Sequence, residues 1–352
     1  MKRTTERAAS YALGEIDLPR LSDEEVRPLA RLYQVLSRER SPEDPVTALD
    51  VLAQRLRARP DVAETRDWMV RHGDDVVGLG TVTRWKVAEN PHWRDAWIAV
   101  HPAHRRRGLA RRLLREIVAA AGGSDEVVLG SWTTDRVPAG DAFARGTGAT
   151  EGLTNRTSQL VLAEVDRALV AEWAALDPAG YRLVWIEDDV PEELTANVVA
   201  AYETMNTAPR GDLRTGDWRV TPAEIRDWDR TRRKAGAVRR LLLAVHEATG
   251  ETAGFTEVTR NPGTPWFVGQ QGTAVVPAHR GHGIGKWIKA VVVRRILEEW
   301  PEARLIRTGN AYSNAPMLSI NDRLGFKVAW SMIVWQLAIA DARAYLAGAR
   351  PS

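Results

Sequence analysis

The chain carries one strand–turn–helix pattern twice, and this repetition constrains the fold more than any other feature. Residues 98–110 read IAVHPAHRRRGLA, and residues 274–286 read AVVPAHRGHGIGK. Arg105 and Arg280 occupy the same place in the two copies, 175 positions apart, which is almost half of the 352-residue chain. A repeat of this length predicts two units of the same architecture joined in tandem.

The turn in each copy is suited to binding an anion. In the second copy, Gly281, Gly283 and Gly285 remove side chains where the backbone must come close to a ligand. The helix that follows presents unpaired N–H groups and the positive end of its dipole at the same point. Strand, turn and helix N-terminus together predict a site for a phosphate or pyrophosphate.

Composition limits the class of protein. Hydrophobic residues make up 44% and charged residues 27% of the chain, which is typical of a soluble globular protein. No apolar run approaches the roughly 18–20 residues that cross a bilayer. The N-terminal MKRTTER lacks the apolar core of a signal peptide. We therefore expect a cytoplasmic protein without a membrane partner.

Charge and cysteine content exclude further classes. The net charge is only +3, and no recognisable nucleic-acid motif occurs, so we expect no nucleic-acid partner. The chain has no cysteine, which excludes disulfides, a thiol nucleophile and thiolate metal sites.

Periodicity predicts the same order of elements in both halves. Each half reads as a strand, two helices, three meandering strands, a helix, a strand, a helix and a strand. This is an α/β fold of the α+β kind, mostly antiparallel, and it is unlike a Rossmann alternation. We predict an N-terminal domain at 1–163, a linker helix at 164–178 and a C-terminal domain at 179–352.

These residues resemble the GNAT superfamily (Gcn5-related N-acetyltransferases), whose signature is Arg/Gln-x-x-Gly-x-Gly/Ala between the fourth strand and third helix. Here the matching hexapeptides are 280–285 and 105–110. The resemblance implies two tandem GNAT folds and acetyl-CoA, or another short acyl-CoA, as cofactor. It implies cofactor contacts at Val275, Val276, Arg280, Gly281, His282, Gly283, Ile284, Gly285, Lys286, Asn314 and Met317, and in the first unit at Val100, Arg105, Arg106, Arg107, Gly108, Leu109 and Ala110.

A second family element follows in the C-terminal unit. Family members often carry an Asn that contacts the CoA arm and, seven residues later, a Tyr that protonates the leaving thiolate. This chain keeps Asn314 but has Asn321 where the Tyr is expected. Asn321 is a catalytic candidate because of its position, but its amide cannot act as an acid. Tyr312 or a water is the alternative proton donor.

The N-terminal unit departs further from the family pattern. Val137 stands at the Asn position and Ala144 at the Tyr position, although the Arg/Gly turn is kept. We predict that the C-terminal unit catalyses, and that the N-terminal unit is degenerate and serves as a structural part or a second CoA site.

Acyl transfer to an amine needs a base and an oxyanion donor. The base predicted here is Glu257, on the strand beside the one that carries the turn; the alternative is that it only faces solvent. The resemblance implies an oxyanion donor among the backbone N–H groups near Val275 and Val276. We predict that Tyr202 and Met205 contact the acceptor, because they lie at the start of a loop that covers this site in the family. We also predict a contact from Gln270, unless Gln270 is only an ordinary residue at the start of its strand.

The histidines allow a metal hypothesis, which we weigh and set aside. His101 and His104, like His279 and His282, form His-x-x-His, but they lie in a turn facing phosphates and no further ligands repeat beside them. We expect packing or phosphate contact and no metal. Trp218 and Trp266 either belong to the core or line a pocket for the acceptor.

The sequence therefore predicts an acyl-CoA-dependent N-acyltransferase that transfers acetyl to a small-molecule amine by direct attack. Two alternatives remain open: a non-catalytic acyl-CoA sensor or scaffold, and acetylation of protein lysines. We expect a monomer or homodimer.

Overall fold

The computed structural model describes residues 10–349, which form one mixed sheet flanked by helices. The strands are β1 Tyr11–Ile16, β2 Ala63–His72, β3 Asp75–Trp85, β4 Trp93–Val100, β5 Val128–Thr134, β6 Thr150–Val161, β7 Tyr181–Glu187, β8 Val238–His246, β9 Thr252–Arg260, β10 Phe267–Val275, β11 Leu305–Ala311 and β12 Lys327–Ala338. The helices are α1 Asp23–Arg40, α2 Leu49–Arg57, α3 Leu109–Ala120, α4 Pro138–Gly146, α5 Arg167–Ala174, α6 Thr195–Glu203, α7 Pro222–Lys234, α8 Ile284–Glu299, α9 Ala315–Arg323 and α10 Ile339–Ala347. The predicted order of elements and the α+β class are confirmed.

Local sequence explains where the main helices begin. A capping box starts α1: Glu25 N donates to Ser22 Oγ at 3.3 Å, and Ser22 N donates to Glu25 Oε2 at 2.8 Å. Thr221 and Glu224 form the same box at α7. The apolar side chains of α3 recur at helical spacing and are buried against the sheet.

The sheet joins the two repeats by exchanging their last strands. Its order is β1-β2-β3-β4-β5-β12-β6-β11-β10-β9-β8-β7. β12, the last strand of the C-terminal repeat, pairs with β5 of the N-terminal repeat, and β6 pairs with β11. The two exchanged strands pair with each other at the centre. The sequence reasoning did not foresee this exchange, and the contiguous domains proposed at 1–163 and 179–352 therefore share one sheet.

Helices cover both faces of the sheet in each repeat. In the N-terminal repeat, α1 and α2 pack on one face and α3 on the other; α6, α7 and α8 hold the same positions in the C-terminal repeat. The helix after each exchanged strand also packs on the opposite repeat: α5 against α8, and α10 against α3. The segment 164–178, predicted to be a linker helix, thus contains α5, whose Trp173 is buried in the C-terminal core.

Within residues 10–349, no helix has the length and apolar character to span a membrane.

The strand exchange predicts that the two halves need each other to fold. Residues 1–163 alone would leave β5 without β12 and β6 without β11, and unpaired buried backbone groups are costly. We expect fragments 1–163 and 164–352 to aggregate or lack cooperative unfolding when expressed singly, and to form a stable 1:1 complex when co-expressed. Size-exclusion chromatography and thermal circular dichroism measure this. A monomeric 1–163 fragment that unfolds cooperatively would contradict the prediction.

Candidate active site

Within residues 10–349 each repeat has one pair of parallel strands, and a V-shaped opening lies where the two strands part. β10 pairs with β11 over only three residue pairs, Phe267–Gly269 with Leu305–Arg307, after which the strands diverge. β4 and β5 do the same after Asp95 and Gly130. The opening exposes backbone groups in the middle of the sheet, directly before the glycine turns.

The turn at the end of β10 forms an anion cradle. Gly281 and Gly283 have φ of +85° and +81°, and Gly283 is the N-cap of α8. In the part of the chain that the structure describes, no acceptor engages the backbone N–H groups of residues 281–285. These free donors at a helix N-terminus fit the diphosphate of a CoA. The predicted contacts Ile284, Gly285 and Lys286 lie in the first turn of α8, and His282 is exposed on the turn itself.

The N-terminal repeat keeps the same backbone path with different residues. Gly108 is the N-cap of α3 with φ +75°, and Arg106 adopts φ +63° in the place of Gly281. A left-handed arginine is strained, so the turn geometry is maintained at a cost in stability. Arg107 lies beside it, and Leu109 and Ala110 begin α3.

The signature arginines hold the turn to the strand that precedes it. Arg280 Nε donates to Val275 O at 3.1 Å, and its Nη2 donates to Thr207 Oγ1 at 2.8 Å. Arg105 Nε donates to Val100 O at 3.1 Å, and its two terminal nitrogens form a bidentate pair with Glu39 at 2.6 Å. In both repeats the guanidinium therefore ties the turn to a covering segment rather than pointing only at a ligand.

The two repeats differ most in the strand before the turn. The β9–β10 pairing shifts register between Gln270 and Thr273, which is a β-bulge at Gln271 and Gly272. The β3–β4 pairing shows no shift. A bulge leaves an extra residue outside the ladder and turns its backbone groups toward the opening. A Cβ on Gly272 would approach the Phe255 ring to 2.8 Å, so this position requires glycine.

Glu257 is half-buried on β9, opposite the bulge of the neighbouring β10, and adjoins a buried charged network. Its Oε2 accepts a hydrogen bond from the Tyr202 hydroxyl at 3.0 Å. Burial raises the pKa of Glu257, while the charge of Arg239 and the Tyr202 hydrogen bond lower it in part. Arg239 is itself paired with Asp229 at 2.9 Å, both almost fully buried. A carboxylate with a raised pKa suits a general base near neutral pH.

Arg239 and Asp229 were not predicted from the sequence. Arg239 could have been noticed, because it is a charged residue beside the apolar run of β8.

The loop between α6 and α7 lies over this face. Met205 lies next to the bulge: a Cβ on Gly272 would be 3.5 Å from its sulfur. Burial and the charge of Glu257 raise the pKa of Tyr202, so its hydroxyl keeps the proton that it donates. The structure therefore brings together Glu257, Tyr202 and Met205, which the sequence had proposed separately.

Gln270 has an internal role. Its side chain is buried, and its amide donates to Glu257 O at 2.7 Å and to Thr256 Oγ1 at 3.0 Å. It thereby stabilises the bulge, and no free group is left on its amide nitrogen for an acceptor molecule. The N–H of Val276, one of the two proposed oxyanion donors, is also engaged, with Ala253 O at 2.9 Å.

The two proposed acids have hydrogen-bond partners other than Glu257. Asn321 is fully buried, and its Nδ2 donates to Asn310 Oδ1 at 2.8 Å. Tyr312 is 46% exposed at the end of β11, with its hydroxyl 2.8 Å from Ser331 Oγ on β12. Asn314 caps α9 by accepting from Met317 N at 3.4 Å, and its amide nitrogen has no partner among residues 10–349. Val137, at the equivalent place in the N-terminal repeat, provides no side-chain cap.

A buried lysine beside the opening was also missed. Lys289 lies one helical turn after Gly285 in α8, is 1% exposed, and its ammonium is 5.2 Å from the centre of the Phe326 ring. Burial alone lowers its pKa to about 7. The residue 175 positions earlier is Leu114, which packs in the N-terminal core. Comparing the two repeats at this position would have identified the lysine from the sequence.

The paired histidines pack against tyrosines. Tyr181 Oη is 3.0 Å from His279 Nδ1, and Tyr11 Oη is 3.0 Å from His104 Nδ1. Across residues 10–349 there is no group of three or more His, Asp or Glu side chains arranged to hold a metal ion.

In each repeat the first of two diverging parallel strands leads into an anion cradle, so the chain carries two sites in tandem that suit a phosphate-bearing cofactor. The acetyltransferase (GNAT) family model matches residues 29–146. Mycothiol acetyltransferase of Clavibacter sepedonicus is 30% identical over 230 residues, which are 60% of this chain and 67% of the relative. The chain belongs to the GNAT family and is an N-acetyltransferase.

Solved structures support the tandem arrangement. A tandem GNAT protein from the clavulanic acid biosynthesis pathway, 27% identical, superposes with a TM-score of 0.76 over 94% of this chain and 99% of that chain. A GCN5-related N-acetyltransferase from Sphaerobacter thermophilus shares the fold at 14% identity, with a TM-score of 0.63 over 94% of this chain and 96% of that one.

Lys289 yields a prediction about stability and pH. Below about pH 7 both folded and unfolded chains carry the proton, so the folded state bears the full cost of burying the charge. Between about 7 and 10.5 only the unfolded state holds the proton, and wild-type stability rises with pH. We expect Lys289→Leu to raise the free energy of unfolding at pH 6 by roughly 2–5 kcal/mol, and by much less at pH 10.

Urea unfolding at both pH values measures this difference. Arg294→Leu, at an exposed position of the same helix, is the control and should change stability by less than about 0.5 kcal/mol. A destabilised Lys289→Leu at pH 6 would show that the ammonium has a partner and that the prediction is wrong.

Proposed function

We propose that the C-terminal repeat transfers acetyl from acetyl-CoA to the amine of a small molecule, with Glu257 as the base. The observation that carries this proposal is the bulge in β10, which lies opposite a partly exposed carboxylate of raised pKa and beneath Tyr202 and Met205. The N-terminal repeat lacks the bulge and has Thr81 near the position of Glu257.

The acyl-CoA would be held by the chain's own backbone. Residues 281–285 would bind the diphosphate, and the free amide nitrogen of Asn314 and the side chain of Met317 would lie along the thiol arm. When bound, the cofactor supplies the acyl group as a thioester. The chain contributes a backbone N–H at Val275 or in the bulge to the developing oxyanion.

Glu257 would accept a proton from the attacking amine, directly or through a water. Arg239 and Tyr202 stabilise its ionised form, and burial opposes them, so its pKa is set by these two opposing effects. Cysteine is absent from the chain, and direct attack by the amine needs no acyl-enzyme. With Asn321 buried and amidic, the leaving thiolate would take its proton from Tyr312 or solvent.

Assigning catalysis to the C-terminal repeat must account for the family-model match, which falls on the N-terminal repeat. The matched residues include the turn and its helix, which both repeats keep, whereas the proposed chemistry depends on the bulge and the carboxylate. The N-terminal repeat, with its intact cradle around Gly108, is then a structural partner or a second CoA site.

The name of the mycothiol acetyltransferase relative supports a small-molecule acceptor over a protein lysine. The alternative of a sensor that binds acyl-CoA without turnover conflicts with membership in an acetyltransferase family, and the burial of Asn321 removes only one candidate acid. Release of CoA thiol with a panel of small amines separates these functions: binding without release on any amine would favour the sensor.

A matched pair of glycine substitutions tests which repeat reacts. Gly283 and Gly108 have nearly equal φ, and a Cβ at either position meets no protein atom closer than 4.0 Å. Strain should thus be similar, and a difference in activity reports on the ligand. We expect Gly283→Val to lower kcat/KM for acetyl-CoA by roughly 100-fold, and Gly108→Val by less than about threefold. Equal losses, at equal thermal stability, would refute the assignment.

The Tyr202 hydrogen bond gives a signed pH prediction. The base is active when ionised, so kcat/KM rises with pH through the pKa of Glu257. Tyr202 lowers that pKa, so Tyr202→Phe should raise it and move the acidic limb of the profile to higher pH. Glu257→Gln should remove this limb and lower kcat by about 10²–10⁴-fold. An acidic limb that stays in place in Tyr202→Phe would argue against Glu257 as the base.

A further inference from the structure

A cavity of about 160 Å³ lies between the repeats, outside both openings. The end of α1 and the start of α2 form one side, and the residues leading into β10 with Arg307 of β11 form the other. Its aromatic wall is Trp266 and Phe267. Trp266, proposed from the sequence as the lining of an acceptor pocket, thus faces a cavity away from Glu257.

Positive charge dominates this cavity. Four guanidinium groups line it, from Arg38, Arg40, Arg55 and Arg307, against the single carboxylate of Asp44. That carboxylate is already engaged by Arg307 in a bidentate pair at 2.5 and 2.6 Å. Burial, together with the charge of Arg307, lowers the pKa of Arg40.

Polar atoms in the wall also lack partners. Ser41 is 4% exposed, and its Oγ has no hydrogen-bond partner among the described residues. The buried Nε of Arg40 has none either. Arg55, by contrast, donates to Thr264 Oγ1 at 2.6 Å across the cavity edge. Water would satisfy the hydrogen bonds of Ser41 and Arg40 but would leave the excess charge uncompensated.

We propose that this cavity is a binding site for a small organic dianion, held by Arg40, Arg38 and Ser41 with its carbon part against Trp266. Planar guanidinium groups bind carboxylate and phosphate oxygens through paired hydrogen bonds, and each such charged contact is stronger than a neutral one. The ligand class is therefore a dicarboxylate or a phosphate ester of few carbons. The site is separate from acyl transfer and does not depend on the function proposed above.

Isothermal titration calorimetry of the full-length chain tests the site, with succinate and inorganic phosphate as dianion probes and acetate as a monoanion, at constant ionic strength. We expect at least one dianion to bind and acetate to bind far more weakly. Binding of phosphate but not succinate would identify a phosphate ester as the class of the natural ligand, and binding of succinate but not phosphate would identify a dicarboxylate. Absence of binding and of thermal stabilisation by either dianion up to about 10 mM would overturn the proposal.

Arg40→Gln should weaken the dianion at least about tenfold, because one charged contact is lost. Arg31→Gln, an exposed arginine on the same helix, is the matched control and should bind like the wild type. If Arg40→Gln fails to fold, the exposed Arg38→Gln provides the same comparison. A dianion that binds equally well to Arg40→Gln or Arg38→Gln occupies a site outside this cavity, for example a glycine turn, and that result would also overturn the proposal.

Discussion

Pairing of β6 with β12 is the interaction on which the rest of the structure depends. Each is the last strand of its repeat, and each completes the sheet of the other. Buried strands must satisfy their backbone groups, so neither repeat has a finished sheet by itself. The same strands anchor the loop that covers the C-terminal opening: Asp212 N donates to Gly152 O at 2.8 Å, and Arg214 N donates to the Gln336 side chain at 2.6 Å. The two exchanged strands therefore also hold the covering loop in place over the C-terminal opening.

The sequence predicted what is locally encoded. The glycine turns and the order of helices and strands each depend on a few neighbouring residues, and these elements occur where they were expected. The exchange was not predictable, because β6 and β12 occupy equivalent places in the repeat and nothing local selects the partner strand. The network around Glu257 was missed for a related reason: Arg239 and Asp229 come from elements that meet only after folding. Asn321 was placed correctly on its helix, but its burial depends on Asn310 of β11.

The asymmetry between the repeats resides in a strand rather than in the turn. Both turns keep left-handed residues at equivalent places, even where Arg106 replaces a glycine and must bear the strain. The preceding strands differ, since β10 is bulged beside a carboxylate and β4 is regular. The two repeats therefore share the anion cradle and differ in the strand that precedes it, which in the C-terminal repeat lies beside the strand of the proposed base.

Buried charge shows where this chain departs from the most stable arrangement. Most buried ionic groups have partners, as Arg239 has Asp229, because an unpaired charge away from water is expensive. Lys289 and Arg40 are exceptions within residues 10–349, since burial lowers the pKa of both, and the fold does not require a lysine at position 289, because Leu114 fills the equivalent position in the other repeat. One exception adjoins the C-terminal opening and the other lies between the repeats. Buried positive charge that is kept at these two places despite its cost indicates a ligand more strongly than surface arginines do, because the ion pairs of surface arginines exchange readily with water.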